Sequence, residues 1–263
     1  AYSSSSTPRS SRLAGLAARP SAAAGYAGTH SKGTPHHRSL TDEMAHNSDV
    51  YKHPRYYAIG YRWNTEVECE FIHACLQAHG PQSAKPCLPA GRRLLDLGCG
   101  AGRHLLTLAQ RGYALTGVDR SPEMIAYVQQ EAQAANLDIV ASVGDLAHLE
   151  LDGRYDGAFC FMDTFRFLLT NDAMVAHLKT VAQQLVPGGL YLTDFWVPRQ
   201  EELVGSAVHQ WEQTEGDTTV RVFYLQHPDS MDRVAQTFDD ELVFEIEEGG
   251  RRKRFEAARH ALG

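Results

Sequence analysis

Residues 94–104 read Leu94-Leu95-Asp96-Leu97-Gly98-Cys99-Gly100-Ala101-Gly102-Arg103-His104, and they constrain the fold more than any other stretch. The apolar run suits a buried parallel strand. Three glycines at alternate positions suit a tight strand-to-helix turn that lets a ligand approach bare backbone. Asp119 lies 21 residues after Gly98, at the end of the next apolar run. Strand, glycine turn, helix, strand and acid form the layout of a nucleoside-binding α/β half-fold.

The glycine spacing separates two families. A dinucleotide fingerprint is Gly-x-Gly-x-x-Gly, whereas here the third glycine comes one residue early. With Asp96 upstream, the turn resembles motif I of class I S-adenosylmethionine (SAM) dependent methyltransferases. Four further segments resemble that family in the same order: Val118–Ile125, Gly144-Asp145-Leu146, Tyr155–Asp163, and Leu185-Val186-Pro187-Gly188-Gly189-Leu190. In the second, Ser121 can cap a helix and Pro122 suits its first position. The resemblance covers roughly residues 50–260. It implies a Rossmann-like, doubly wound, mainly parallel α/β sheet with an N-terminal helical cap.

The chain divides by texture into four parts. Residues 1–43 are Ser/Ala/Gly-rich, with five basic and two acidic side chains, which leaves −10 of the formal −7 on the remainder. Such a stretch cannot bury enough apolar surface to fold alone. It reads as a non-native or upstream-translated leader with a natural start at Met44, or as an organelle transit peptide. Residues 44–90 read as a cap or lid, with a helix ending at Gly80-Pro81. Residues 91–196 alternate strands (near 93–97, 113–118, 138–143, 155–162, 189–195) with helices (102–111, 121–135, 171–185), as a parallel sheet covered on both faces requires. Residues 197–263 alternate polar and β-prone residues, broken at Glu215-Gly216 and Gly249-Gly250, as an antiparallel meander. The family completes its sheet with a further helix and strand pair, so we expect a chain truncated at its C-terminus or a meander standing in for them.

The resemblance assigns roles to particular residues. Backbone around Gly98, Cys99, Gly100 and Gly102 would meet the cofactor's amino-acid tail, with Asp96 ordering the loop or the ammonium end. Asp119 would accept from the ribose hydroxyls. Asp145 and Leu146 would take the adenine amine and ring, with Arg120 flanking them, and Phe161 would line the cofactor. The aromatic segment Tyr57–Trp63 looks like the lid of small-molecule enzymes of the glycine N-methyltransferase type. There Arg62 is the candidate for the SAM carboxylate, and Tyr57 and Tyr61 are catalytic candidates near the methyl group. Asp163 could orient an acceptor or take its proton. Trp63, Arg166 and Trp196 are candidates for the acceptor side.

Five cysteines without C-x-x-C spacing suggest reduced thiols, and the thirteen histidines show no metal-ligand spacing, so no metal site is expected. The acidic body lacks the basic signature of nucleic-acid binding, and no apolar run approaches a membrane span. The expected activity is SAM-dependent methyl transfer to N or O of a small molecule, by a cytoplasmic monomer or homodimer, or an organellar one if the leader is genuine. The alternatives are a SAM-binding homologue without catalysis, or a protein or RNA methyltransferase.

Overall fold

The computed structural model describes residues 49–81, 91–149, 151, 153–195 and 208–262. The leader and Trp196 lie outside these residues. Five parallel strands alternate with helices: β1 (Arg93–Leu97), α3 (Arg103–Gln110), β2 (Ala114–Asp119), α4 (Pro122–Ala134), β3 (Ile139–Val143), β4 (Tyr155–Cys160), α5 (Asn171–Gln184) and β5 (Leu185–Thr193). Two helices precede them, α1 (Pro54–Gly60) and α2 (Thr65–His79).

The sheet order is β3-β2-β1-β4-β5, so the direction of winding reverses between β1 and β4. Ligands of open α/β sheets bind beyond the strand ends at such a reversal. The sheet is buried on both faces. Leu94 joins α2 and α3 residues such as Ile72, Leu76, Leu105 and Leu108, while Leu95 and Leu97 join Phe165, Leu168 and Val181 on the other side. That split follows from the two-residue period of a strand.

Local chemistry sets the helix starts. The Ser121 hydroxyl accepts from Met124 N at 3.2 Å with Pro122 at the first position of α4. Thr170 caps α5 through Ala173 N at 3.1 Å. Gly102, at φ +77°, begins α3 in a left-handed conformation, and a Cβ there would lie 2.7 Å from Val128 Cγ2.

Four antiparallel strands form a second sheet, ordered β6 (Val208–Glu215), β7 (Thr218–Asp232), β8 (Thr237–Glu248) and β9 (Arg251–Leu262). Glycines 216, 249 and 250, all at positive φ, make two of its three hairpin turns, and Gln236, at φ +55°, closes the third. One face is a charge ladder: Glu212, Arg221, Glu245 and Arg254 stand opposite one another across all four strands. The basic run Arg251–Arg254 is thereby matched by acids of β8. The other face packs on α1, with Val220, Val222, Leu242, Phe244 and Ile246 enclosing Ile59 and Tyr61.

The meander does not extend the parallel sheet, because among the described residues β5 pairs only with β4. Here the structure departs from a meander that substitutes for missing sheet strands. Its apolar face covers the N-terminal helix instead. No helix among the described residues is long and apolar enough to cross a membrane.

Phe244, on β8, is fully buried against α1. Phe244→Ala should destabilise the protein by about 3–5 kcal/mol in urea unfolding. Arg254→Ala, on the solvated ladder, should be nearly silent.

Candidate cofactor cleft

The site lies where β1, β2 and β4 end. The turn after β1 is closed by the end of β2: Gly98 N and Cys99 N both donate to Val118 O, at 2.8 and 3.0 Å. Gly100 N donates to Asp119 Oδ2 at 2.8 Å, and Ser121 N to Asp119 Oδ1 at 2.9 Å. Asp119 therefore shapes the loop with both oxygens, and each keeps a second acceptor site for hydroxyl donors. Burial raises its pKa, against the pull of those backbone bonds.

The cleft is lined by Tyr57, Ala58, Tyr61, Asp96, residues 98–101, Arg103, His104, Phe161, Met162 and Thr164. Asp96 is 2% exposed, and its Oδ2 has no hydrogen-bond partner among the described residues. Burial pushes its pKa well up, opposed by the charge of Arg103. A buried acceptor without a donor is costly, and a cationic donor placed beside it would relieve both burdens. The cleft therefore offers a bare-backbone cradle, an orphaned carboxylate oxygen and a ribose-type acid, and these fit SAM.

Several residues named from the sequence meet here. Tyr57 stacks on Tyr61 with ring centroids 4.6 Å apart. The Tyr57 ring also covers the loop, since a Cβ on Gly100 would lie 3.5 Å from its Cε1. The enclosed space is about 40 Å³, room for a water or so, against about 300 Å³ or more for a ligand pocket. Burial raises the pKa of both tyrosines, so each presents a neutral hydroxyl. Phe161 meets His104 edge-on at 5.6 Å.

Others stand elsewhere. Arg62 is exposed and held by Glu215 at 3.1 Å and by Thr214 O, on the β6–β7 hairpin. The sequence assigned Arg62 the SAM carboxylate; in the structure it lies on that hairpin, while Arg103 lines the cleft. Arg103 donates to Tyr61 O and Trp63 O, both at 2.8 Å, and to Glu68. Glu68 also binds His104 Nε2 at 2.7 Å. Trp63 sits behind Arg103 and meets Trp211 edge-on at 5.9 Å. Arg166 is buried, with Nε donating to Leu262 O at 2.6 Å and its guanidinium 4.9 Å from the Phe238 ring. It ties the segment after β4 to the meander. Asp163 begins that segment at φ +56°.

Arg120 and Asp145 are exposed, beyond β2 and β3 respectively. Asp145 Oδ1 accepts from Ala147 N at 2.8 Å. Among the described residues no cluster of His, Cys, Asp or Glu could hold a metal.

Residues 94–189 match the methyltransferase-domain family. A putative methyltransferase of Bacillus subtilis, YqeM, is 30% identical over 125 residues, covering 45% of this chain and 50% of that protein. The dTDP-3-amino-3,6-dideoxy-alpha-D-glucopyranose N,N-dimethyltransferase of Streptomyces fradiae is 25% identical over 64% of this chain and 61% of its own. The crystal structure of Streptomyces venezuelae DesVI superposes with a TM-score of 0.64 at 18% identity, covering 81% of this chain and 83% of that one. Residues 94–189 thus match a methyltransferase domain, and the fold around them is that of a solved S-adenosylmethionine-dependent methyltransferase from Clostridium acetobutylicum (TM-score 0.60, 17% identity, covering 86% of this chain and 82% of that one). The chain spans about half the length of the first relatives it matches.

His177 is buried on α5 between Leu146 and β5. Its Nδ1 pairs with Leu146 O and its Nε2 with the Tyr191 hydroxyl, each at 2.8 Å. Burial lowers its pKa, so the ring is neutral, with Nδ1–H donating and Nε2 accepting. The unfolded chain takes up a proton near pH 6.5 that the folded chain refuses. The stabilisation is complete above that pH and is lost as pH falls through the lowered native value. Urea midpoints measured at about pH 7.5 and 5.5 should therefore differ less in His177→Leu than in the wild type.

Proposed function

We propose that this protein transfers a methyl group from SAM to a nitrogen or oxygen of a small-molecule acceptor. The observation that carries the reading is the glycine cradle closed by Asp119, beside the orphaned oxygen of Asp96. The backbone of Gly98–Gly102 meets the amino-acid tail. Asp96 receives the ammonium, and Arg103 the carboxylate. Asp119 receives the ribose hydroxyls, while Asp145 and Leu146 flank the adenine.

Bound SAM supplies an electrophilic methyl group. The protein's contribution is to align the acceptor with it and exclude water, which can supply much of the acceleration. Tyr57 and Tyr61 stay protonated and serve as hydrogen-bonding hydroxyls rather than bases. Asp163, on the segment after β4, is the residue we assign to orienting the acceptor or taking its proton.

The acidic body and the matched charges of the meander favour a small acceptor over nucleic acid. Amino sugars are one class, since the Streptomyces fradiae relative is named for such a substrate. We place the protein in the cytoplasm, as a monomer or homodimer.

Titration calorimetry should show saturable binding of SAM and none of NAD; the reverse sinks the reading. Asp119→Ala should weaken SAM at least about tenfold, as loss of charge-assisted hydrogen bonds implies. Arg103→Met should weaken SAM but leave decarboxylated SAM little changed. A radiolabelled-methyl screen over amines, hydroxyls and carboxylates then identifies the acceptor. SAM binding without transfer to any of them would favour a non-catalytic SAM-binding protein.

A further inference from the structure

Beyond β4 the chain turns onto the mouth of the cleft through two consecutive left-handed residues, Met162 (φ +62°) and Asp163 (φ +56°). Neither is glycine. Such backbone persists only where its surroundings hold it, and it gathers at functional sites. The holding group is the carboxylate of Asp194, one residue past β5. Its Oδ2 accepts from Met162 N at 3.1 Å and its Oδ1 from Asp163 N at 3.0 Å.

Asp194 is itself well placed to do this. Thr193 pairs with Cys160 in the β4–β5 ladder, and its hydroxyl donates to Cys160 O at 3.0 Å. The effect of the turn reaches the glycine loop. Thr164 Oγ1 donates to Phe161 O at 2.7 Å. The Thr164 methyl occupies the space that Gly98 leaves by having no side chain. Met162 and Thr164 both line the cleft.

We infer that Asp194 is a positioning residue for the cofactor cleft: its forked carboxylate holds Met162 and Asp163 left-handed and, through Thr164, sets the path of the glycine loop. The inference rests on the cofactor reading above. It gives β5 a part in the site, although no β5 side chain lines the cleft.

The test is a double-mutant cycle on the full chain, with Asp194→Ala and Met162→Gly made singly and together, read by SAM calorimetry and thermal unfolding. Glycine adopts the left-handed conformation without a side-chain penalty, so it needs less holding. Asp194→Ala should weaken SAM about tenfold in the wild-type background and about threefold or less beside Met162→Gly. Should Asp194→Ala fail to fold, Asp194→Asn carries the same comparison, since its amide keeps one of the two acceptors. An equal loss in both backgrounds, or no loss in either, overturns the inference, because a general packing role is not relieved by glycine. A wild-type protein that binds no SAM sinks the cofactor reading instead. The clamp is then judged from unfolding: a smaller drop in midpoint beside Met162→Gly supports it, and an equal drop overturns it.

Discussion

The structure depends on how the end of β2 closes the turn that leaves β1. Val118 O takes two backbone donors from the turn, and the Asp119 carboxylate takes a third. These bonds hold a run of left-handed glycines, at φ +77°, +52° and +77°, that would otherwise have many conformations to choose from. α3 starts where the run ends, so its packing on β1 and β2 is set from the same place. The acid suited to the ribose is thus also the acid that builds the loop.

A second layer is made from two distant parts of the chain. α1 packs its apolar residues against the meander and lays Tyr57 on the glycine loop. Arg55, Tyr56, Lys253 and Thr218 gather around Glu248 and hold its carboxyl far below the usual range. Arg103 and Glu68 fasten the same segment to the start of α3. The tyrosines over the glycine loop are therefore gripped from the meander on one side and from the nucleotide-type core on the other.

Much of this was legible in the sequence. Apolar runs and glycine punctuation placed β1 and β2 to within a residue, and Ser121-Pro122 marked the start of α4. Strand β5 begins at Leu185, earlier than its residues suggest, because pairing of Tyr155 with Leu185 carries it through Pro187 and Gly188 with a shift in register. The cleft was legible where its shape resides in local spacing, as in the turn at Gly98–Gly102 and the acid that closes it, Asp119. It was not legible where function depends on contacts made across the fold. Nothing next to Asp194 says that its carboxylate reaches the turn after β4. The sequence pointed to Arg62 for a carboxylate, whereas the fold sends Arg62 to a surface hairpin and brings Arg103 into the cleft. The one available signal for Arg103 was its place directly after the third glycine.

The union of α1 with the meander also bears on how the chain acquires its structure. Arg55 and Glu248 are partners 193 positions apart. Contacts at such separation form late, since a long loop must close before they contribute. The parallel sheet can assemble from neighbouring segments during synthesis, whereas the first described helix must wait for almost the last strands. Until β7 and β8 are in place, Ile59 and Tyr61 lack the apolar cover that the finished fold gives them.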